Sequence, residues 1–269
     1  MSAHNVKNSR KNQNRAQQSG SVLERRSQRT VEPLCLHNGE RVQLCSDDVS
    51  RETPPKERIL IMLQAFERAL MEQLNLARYL QDKQAFLLEV FQFSRNFFDL
   101  KNRLRFSMPP GFETAEGLTD PVSGDICLNA ALWPGLPPLS PLQTLLHELR
   151  HSIQAARPAL FPPEIAVNNT HVIQFDGTGY RIRGSEVVTV KLPGTQDYYT
   201  ELYLASPCER DANAFAHRCL KAAGAGAEAD EHYQFWSPRW THFTEAQATD
   251  EFLNAAAEID RLAAEEEPT

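Results

Sequence analysis

The run Pro141–Arg157, PLQTLLHELRHSIQAAR, constrains this chain more than any other stretch. It contains His147-Glu148-Leu149-Arg150-His151, an H-E-x-x-H pattern. Residues four apart on an α-helix sit one turn apart on nearly the same face, so both imidazoles can reach one metal ion. Glu148 projects beside them, where it can act on a water held by that metal. At about 100° per residue, Leu142, Leu145, Leu146, Leu149, Ile153 and Ala156 fall on the opposite side of the helix. Such a helix packs with its back and offers a site with its front. Ser140-Pro141-Leu142-Gln143 reads as its start, with Ser140 and Gln143 as a capping box and Pro141 in the first turn, and Pro158 ends it.

Zinc in a hydrolytic site takes three protein ligands and leaves a fourth position to water, so one more ligand must come from elsewhere. Glu209 leads the candidates, in Glu209-Arg210-Asp211-Ala212-Asn213-Ala214-Phe215-Ala216, the opening of a second helix that starts at Ser206-Pro207. Two alternatives stay open. Glu209 lies three after Ser206 and could close a capping box, and Asp211 could be the ligand instead. Asn213, one turn after Glu209, could hydrogen-bond a metal-ligating histidine. His217 could be a ligand or a transition-state donor, although a helix-surface histidine is the simpler reading. His171, His232 and His242 lack paired spacing. Tyr198, Tyr199 and Tyr203 precede the second helix and could donate to a developing oxyanion.

Around these helices, Glu57–Arg103 is free of Gly and Pro, with Ile59, Leu63, Phe66, Leu70, Leu74 and Ala77 at helical spacing. A break near 79–84 predicts two helices. Phe86, Phe91, Phe93, Phe97 and Phe98 form an aromatic stripe of the kind found in cores. Leu104–Met108 and Asp125–Leu132 read as strands, and the second could pair with an extended substrate. Val172–Phe175, Tyr180–Arg183 and Val187–Leu192, separated by Gly-containing turns, predict a small antiparallel sheet. The aromatics Phe235, Trp236, Trp240 and Phe243 precede a last helix from Glu245 to about Ala264.

The N-terminus differs in kind. Residues 1–30 carry Lys7, Arg10, Lys11, Arg15, Arg25, Arg26 and Arg29 against Glu24, with almost nothing apolar, which predicts a disordered, solvated tail or a basic arm. A hairpin is expected around Asn38-Gly39. The whole chain has a formal charge of −7, so the remainder is acidic, which argues against a nucleic-acid surface on the folded part. Five cysteines without C-x-x-C spacing in 269 residues argue for a reducing compartment rather than a disulfide framework. No apolar run approaches the ~20 residues of a membrane span. A soluble, cytoplasmic protein is expected, with export by a non-classical route as the alternative.

H-E-x-x-H, the strand before it and E-x-D-A-N-x-F-A after it resemble the gluzincin branch of zinc metallopeptidases. The closest likeness is the ImmA/IrrE-type group, over about residues 104–222. The resemblance implies a zincin-like α+β fold, with the active-site helix packed on a small mixed or antiparallel sheet and an added N-terminal helical segment. It implies that His147, His151 and Glu209 bind Zn2+ and that Glu148 is the general base in hydrolysis of a protein or peptide substrate. A charged Arg150 between the paired histidines departs from the family pattern. On this reading residues 1–56 are tail, hairpin and linker, and 57–269 form the metallopeptidase-like domain. That domain divides into a helical segment 57–103, the zincin core 104–222 and a C-terminal helical segment 223–269. A non-catalytic regulator on the same fold, or an exported effector protease, are the rival functions. Oligomeric state does not follow from the sequence.

Overall fold

The stretch after Pro55 folds as three helices, not two: α1 (Pro55–Gln73), α2 (Leu76–Gln81) and α3 (Lys83–Phe97). The computed structural model describes residues 55–236 and 242–266, so the N-terminal tail, the Asn38-Gly39 hairpin and Trp240 lie outside the described residues. The side chains of Phe235 and Trp236 do too. The described residues all belong to one compact unit. Both helix breaks are capped: Asn75 accepts from the Arg78 N–H and Asp82 from the Ala85 N–H. The expected break matches Asp82, but Asn75 adds a second, and Ala77 is exposed because the helix restarts at Leu76. Leu63, Phe66, Leu70 and Leu74 are buried as their spacing requires. Phe66 sits at the centre of the aromatic core, with ring centroids 4.7 Å from Phe98 and 6.2 Å from Phe215.

The first sheet is small and mixed. β1 (Leu104–Arg105), β2 (Gly117–Thr119) and β3 (Ile126–Leu128) are ordered β1-β3-β2, with β1 parallel and β2 antiparallel to β3. Both expected strands are thus shorter than read, and β2 was missed because three residues between turns carry no period. β3 is paired on both sides, so it has no free edge; β1 and β2 are the edge strands, and β2 is the one against α4.

Helix α4 (Ser140–Ala156) lies against β2 and β3. Leu142, Leu145, Leu146, Leu149 and Ile153 are fully buried, as the helical period dictates. Ser152 Oγ donates to the Gly124 carbonyl at 2.8 Å, and Asn102 Nδ2 donates to Ser152 Oγ at 2.6 Å, which ties α4 to the turn before β3. The expected capping box does not form. Ser140 is already helical, Leu139 is the cap and makes no side-chain bond, while Pro141 keeps its first-turn place.

Past a single helical turn, α5 (Pro163–Ala166), the second sheet is a meander of β4 (His171–Ile173), β5 (Thr178–Arg183) and β6 (Glu186–Lys191), antiparallel as expected. Then come α6 (Gln196–Ala205), α7 (Pro207–Ala222), α8 (Gly226–Trp236) and α9 (Glu245–Glu266). α6 was not anticipated, whereas α8 and α9 fall in the helical segment expected over 223–269. Sheet, α6 and α9 share a second apolar core of Ile173, Val190, Leu192, Leu202, Phe252 and Ile259. Gly179 makes that packing possible, since a Cβ there would lie 2.6 Å from Ile259. The architecture is α+β, with two three-stranded sheets among the helices. Among the described residues no helix is long and apolar enough to cross a membrane.

Candidate metal centre

α4 and α7 pack side by side and bring three donor atoms together. His147 Nε2 lies 3.0 Å from His151 Nε2 and 3.2 Å from Glu209 Oε2, and His151 Nε2 lies 3.2 Å from Glu209 Oε1. Glu209 is 7% exposed, which fits a ligand and excludes a solvated capping carboxylate. Ser206 supplies no side-chain cap.

Both imidazoles are held from behind. Gln154 Nε2 is a donor and faces two acceptors, Asp211 Oδ2 at 2.8 Å and the Cys208 carbonyl at 3.2 Å. That orients its Oε1 to accept from His151 Nδ1 at 2.9 Å, leaving the Nε2 lone pair for the shared point. Asn213 Oδ1 stands 3.1 Å from His147 Nδ1 and does the same there. Gln154 was not singled out from sequence, although its position one turn after His151 was a usable signal.

Asp211, the alternative ligand, is occupied elsewhere. Arg150 binds it in bidentate fashion, Nε to Oδ2 at 2.6 Å and Nη2 to Oδ1 at 2.9 Å. The guanidinium is 4% exposed, lies between the Phe161 and Phe215 rings at 4.8 and 5.0 Å, and meets Glu67 Oε1 at 3.4 Å. The charged residue between the paired histidines is therefore a buried bridge between α4, α7 and α1.

No protein-family model, curated protein or solved structure matches this chain.

The His147/His151/Glu209 group could hold a metal ion on its own chemistry. Two imidazole nitrogens and one carboxylate oxygen are a common zinc donor set. Ligands about 2.0–2.1 Å from a tetrahedral centre are roughly 3.3 Å apart, close to the separations found here. Electrostatics agree with a preformed site. Burial works against charge on His151, but the facing Glu209 carboxylate, together with Glu148 and the Gln154 hydrogen bond, outweighs it and pushes the imidazolium up to about 9. Burial likewise opposes charge on Glu209, yet His151 and His147 hold it well below the usual carboxylate range.

Glu148 lines the same cavity and is oriented by Thr119 on β2, whose hydroxyl is 2.7 Å from Glu148 Oε2 and 2.9 Å from the Glu148 carbonyl. β2 approaches this closely because residue 117 is glycine; a Cβ there would lie 2.4 Å from Thr144 Cγ2 and 3.0 Å from Glu148 Cγ. Of the three tyrosines, Tyr198 donates to Glu251 and Tyr199 to the Pro193 carbonyl, away from the site. Tyr203 lines the cavity beside Glu209, and that carboxylate together with burial keeps its phenol protonated well above the ordinary range.

The remaining histidines among the described residues lie elsewhere. His217 pairs with Asp230 at 2.6 Å and stacks on Tyr233, so it is neither ligand nor donor. His171 faces Asp260, and His242 faces Glu201. His232 meets Gln143, the residue expected to complete the α4 cap, and burial pushes that imidazole down to about 4. Among the described residues Cys127, Cys208 and Cys219 are free thiols. Burial pushes the last two up to about 12, which keeps them unreactive.

Proposed function

We propose that this chain is a zinc-dependent metallopeptidase of gluzincin type, with His147, His151 and Glu209 as the metal ligands. One observation carries the reading: three converging donors stand in the wall of a cavity of about 440 Å³ that also holds Glu148 and Tyr203. A bound zinc supplies Lewis acidity, acidifying water and polarising a carbonyl oxygen. Glu148, fixed by Thr119, takes a proton from the attacking water and later gives it to the leaving amine. The water's oxygen ends on the carbonyl carbon as the C–N bond breaks. Tyr203, which lines the same cavity and whose hydroxyl is hydrogen-bonded to Glu209, would donate to the carbonyl oxygen as negative charge develops on it. The outer edge of β2 is the place for an extended peptide to add as a strand.

The test combines metal content and turnover. The purified protein is expected to carry about one zinc per chain and to cleave peptides. Glu148→Gln should keep the metal and lose at least about a thousandfold in kcat. His147→Ala should lose both. Full activity in Glu148→Gln would sink the mechanism.

A further inference from the structure

Two edge strands meet this cavity, one from each sheet. Gly117, Leu118 and Thr119 of β2 line it, and so do Val172 and Ile173 of β4 with Gln174 just beyond. Successive side chains on a strand point to opposite faces, so consecutive residues that reach one space turn a strand's edge toward it. Ile173 makes the point: its side chain belongs to the second apolar core, yet it lines the cavity. The ladder fixes which groups stand on that edge. Gln174 N–H donates to the Thr178 carbonyl at 2.8 Å and Ile182 N–H to the Thr170 carbonyl at 2.7 Å, so Thr170, Val172 and Gln174 bond toward β5. Antiparallel pairing alternates, which leaves the N–H and C=O of Ile173 on the outer edge, where no strand pairs with them among the described residues. By the same alternation, the Asp120 N–H bond to the Asp125 carbonyl puts Thr119 on the outer edge of β2. Carboxamides flank the β4 edge. Asn168 and Asn169 precede it and Gln174 follows it, all three in the cavity wall. Asn169 Nδ2 is buried without a hydrogen-bond partner, a costly arrangement that an arriving acceptor relieves.

We infer that β4 is a second peptide-binding edge of this site: an extended polypeptide bonds through its main chain to Ile173, and the Asn169 and Gln174 carboxamides bond to the same main chain on either side. The inference rests on the reading of the substrate as a polypeptide, not on its hydrolysis. A carboxamide both donates and accepts, which matches the C=O and N–H of a peptide unit. From Asn169 to Gln174 a strand covers roughly 16 Å, the length of about five residues of an extended chain. Alternate peptide units of such a chain point to opposite sides, so a polypeptide bonded to β2 keeps a second edge free for β4. Bonds of this kind read the main chain, so the site tolerates many side-chain sequences.

Amide hydrogen exchange, followed by NMR on zinc-loaded Glu148→Gln protein, tests this. The probe is a mixture of octapeptides blocked at both ends and randomised at every position. It should slow exchange of the Ile173 N–H at least tenfold, along with that of Thr119, while the same mixture N-methylated at every peptide bond slows neither. Slowing at Thr119 alone, slowing at neither residue, or equal slowing by the N-methylated mixture would overturn the inference. Asn169→Ala/Gln174→Ala should keep the zinc and bind a dye-labelled form of the first mixture about tenfold more weakly; unchanged binding would overturn the part given to the carboxamides. Digestion by the zinc-loaded protein with Glu148 intact separates this from the catalytic reading. Peptides that protect Ile173 but are never cut remove the hydrolysis and leave the β4 edge. Cleavage without protection of Ile173 removes the β4 edge and leaves the hydrolysis.

Discussion

Gln154 Oε1 stands 2.9 Å from His151 Nδ1, one helical turn away on α4. The same amide's nitrogen is bound to Asp211 and to the Cys208 carbonyl, so it cannot turn over without losing both contacts. Gln154→Ala should therefore lower zinc affinity by about 10- to 100-fold, because His151 loses both its tautomer and its orientation. Competition with a chelating dye measures the change, and an unaltered far-ultraviolet circular dichroism spectrum would locate it at the metal. Zinc affinity equal to the parent would remove Gln154 from the site.

Arg150 and Asp211 join α4 to α7 in a nearly dry environment. Arg150→Met would strand Asp211 and is expected to destabilise the fold by about 3 kcal/mol. Arg150→Met combined with Asp211→Leu should recover most of that loss, since the pair would then be replaced by apolar packing. Urea denaturation of the single and double variants supplies the comparison. A double variant no more stable than Arg150→Met would mean the ion pair is not the source of the loss.

Gly117 faces the Glu148 side chain with no room for a Cβ, which would lie 2.4 Å from Thr144 Cγ2 and 3.0 Å from Glu148 Cγ. Gly117→Ala should push Thr144 and Glu148 aside and lower kcat by roughly tenfold or more, with zinc content unchanged. The clashing atom is Thr144 Cγ2, which Thr144→Ser deletes. Gly117→Ala/Thr144→Ser should regain much of the lost rate; no recovery would place the damage elsewhere.

Protons and metal compete for the same nitrogen. His151 in the metal-free protein is raised from its ordinary value of 6.5 to about 9, with Glu209 facing it against the opposing effect of burial. Below about 9 a metal must displace that proton, so zinc affinity should rise close to tenfold per pH unit from 6 to 8 and level off near 9. The metal-free fold responds in the opposite direction. A folded value above the unfolded one is a stabilisation fully present below pH 6.5 and lost as pH rises through 9. Glu209, held low, stabilises above its ordinary 4.5 and loses that contribution in stronger acid. Thermal melts of the metal-free protein should thus be highest between about pH 4.5 and 6.5 where these two groups are concerned, and Glu209→Gln should flatten the profile. A His151 resonance titrating near 6.5 by NMR would contradict both expectations.

What the amino-acid order determined by itself is local. The 3.6-residue period placed His147, Glu148 and His151 on one side of α4 and its leucines on the other, because those relations lie within two turns of one helix. Turn residues likewise marked out the β4–β6 meander. Sequence left the third ligand open between Glu209 and Asp211, two residues apart at the start of one helix. Only the packed structure separates them: Arg150, 61 positions before Asp211, takes that carboxylate and leaves Glu209 facing the histidines. Which strands form the sheet edges was decided in the same way, by a pairing order that places β3 between β1 and β2. So was the failed cap at Ser140, where Gln143 turned to His232, 89 positions on. A helix's period is written into its own neighbouring residues. The partner of a buried charge or of a strand edge depends on which distant groups arrive beside it, and no local period records that.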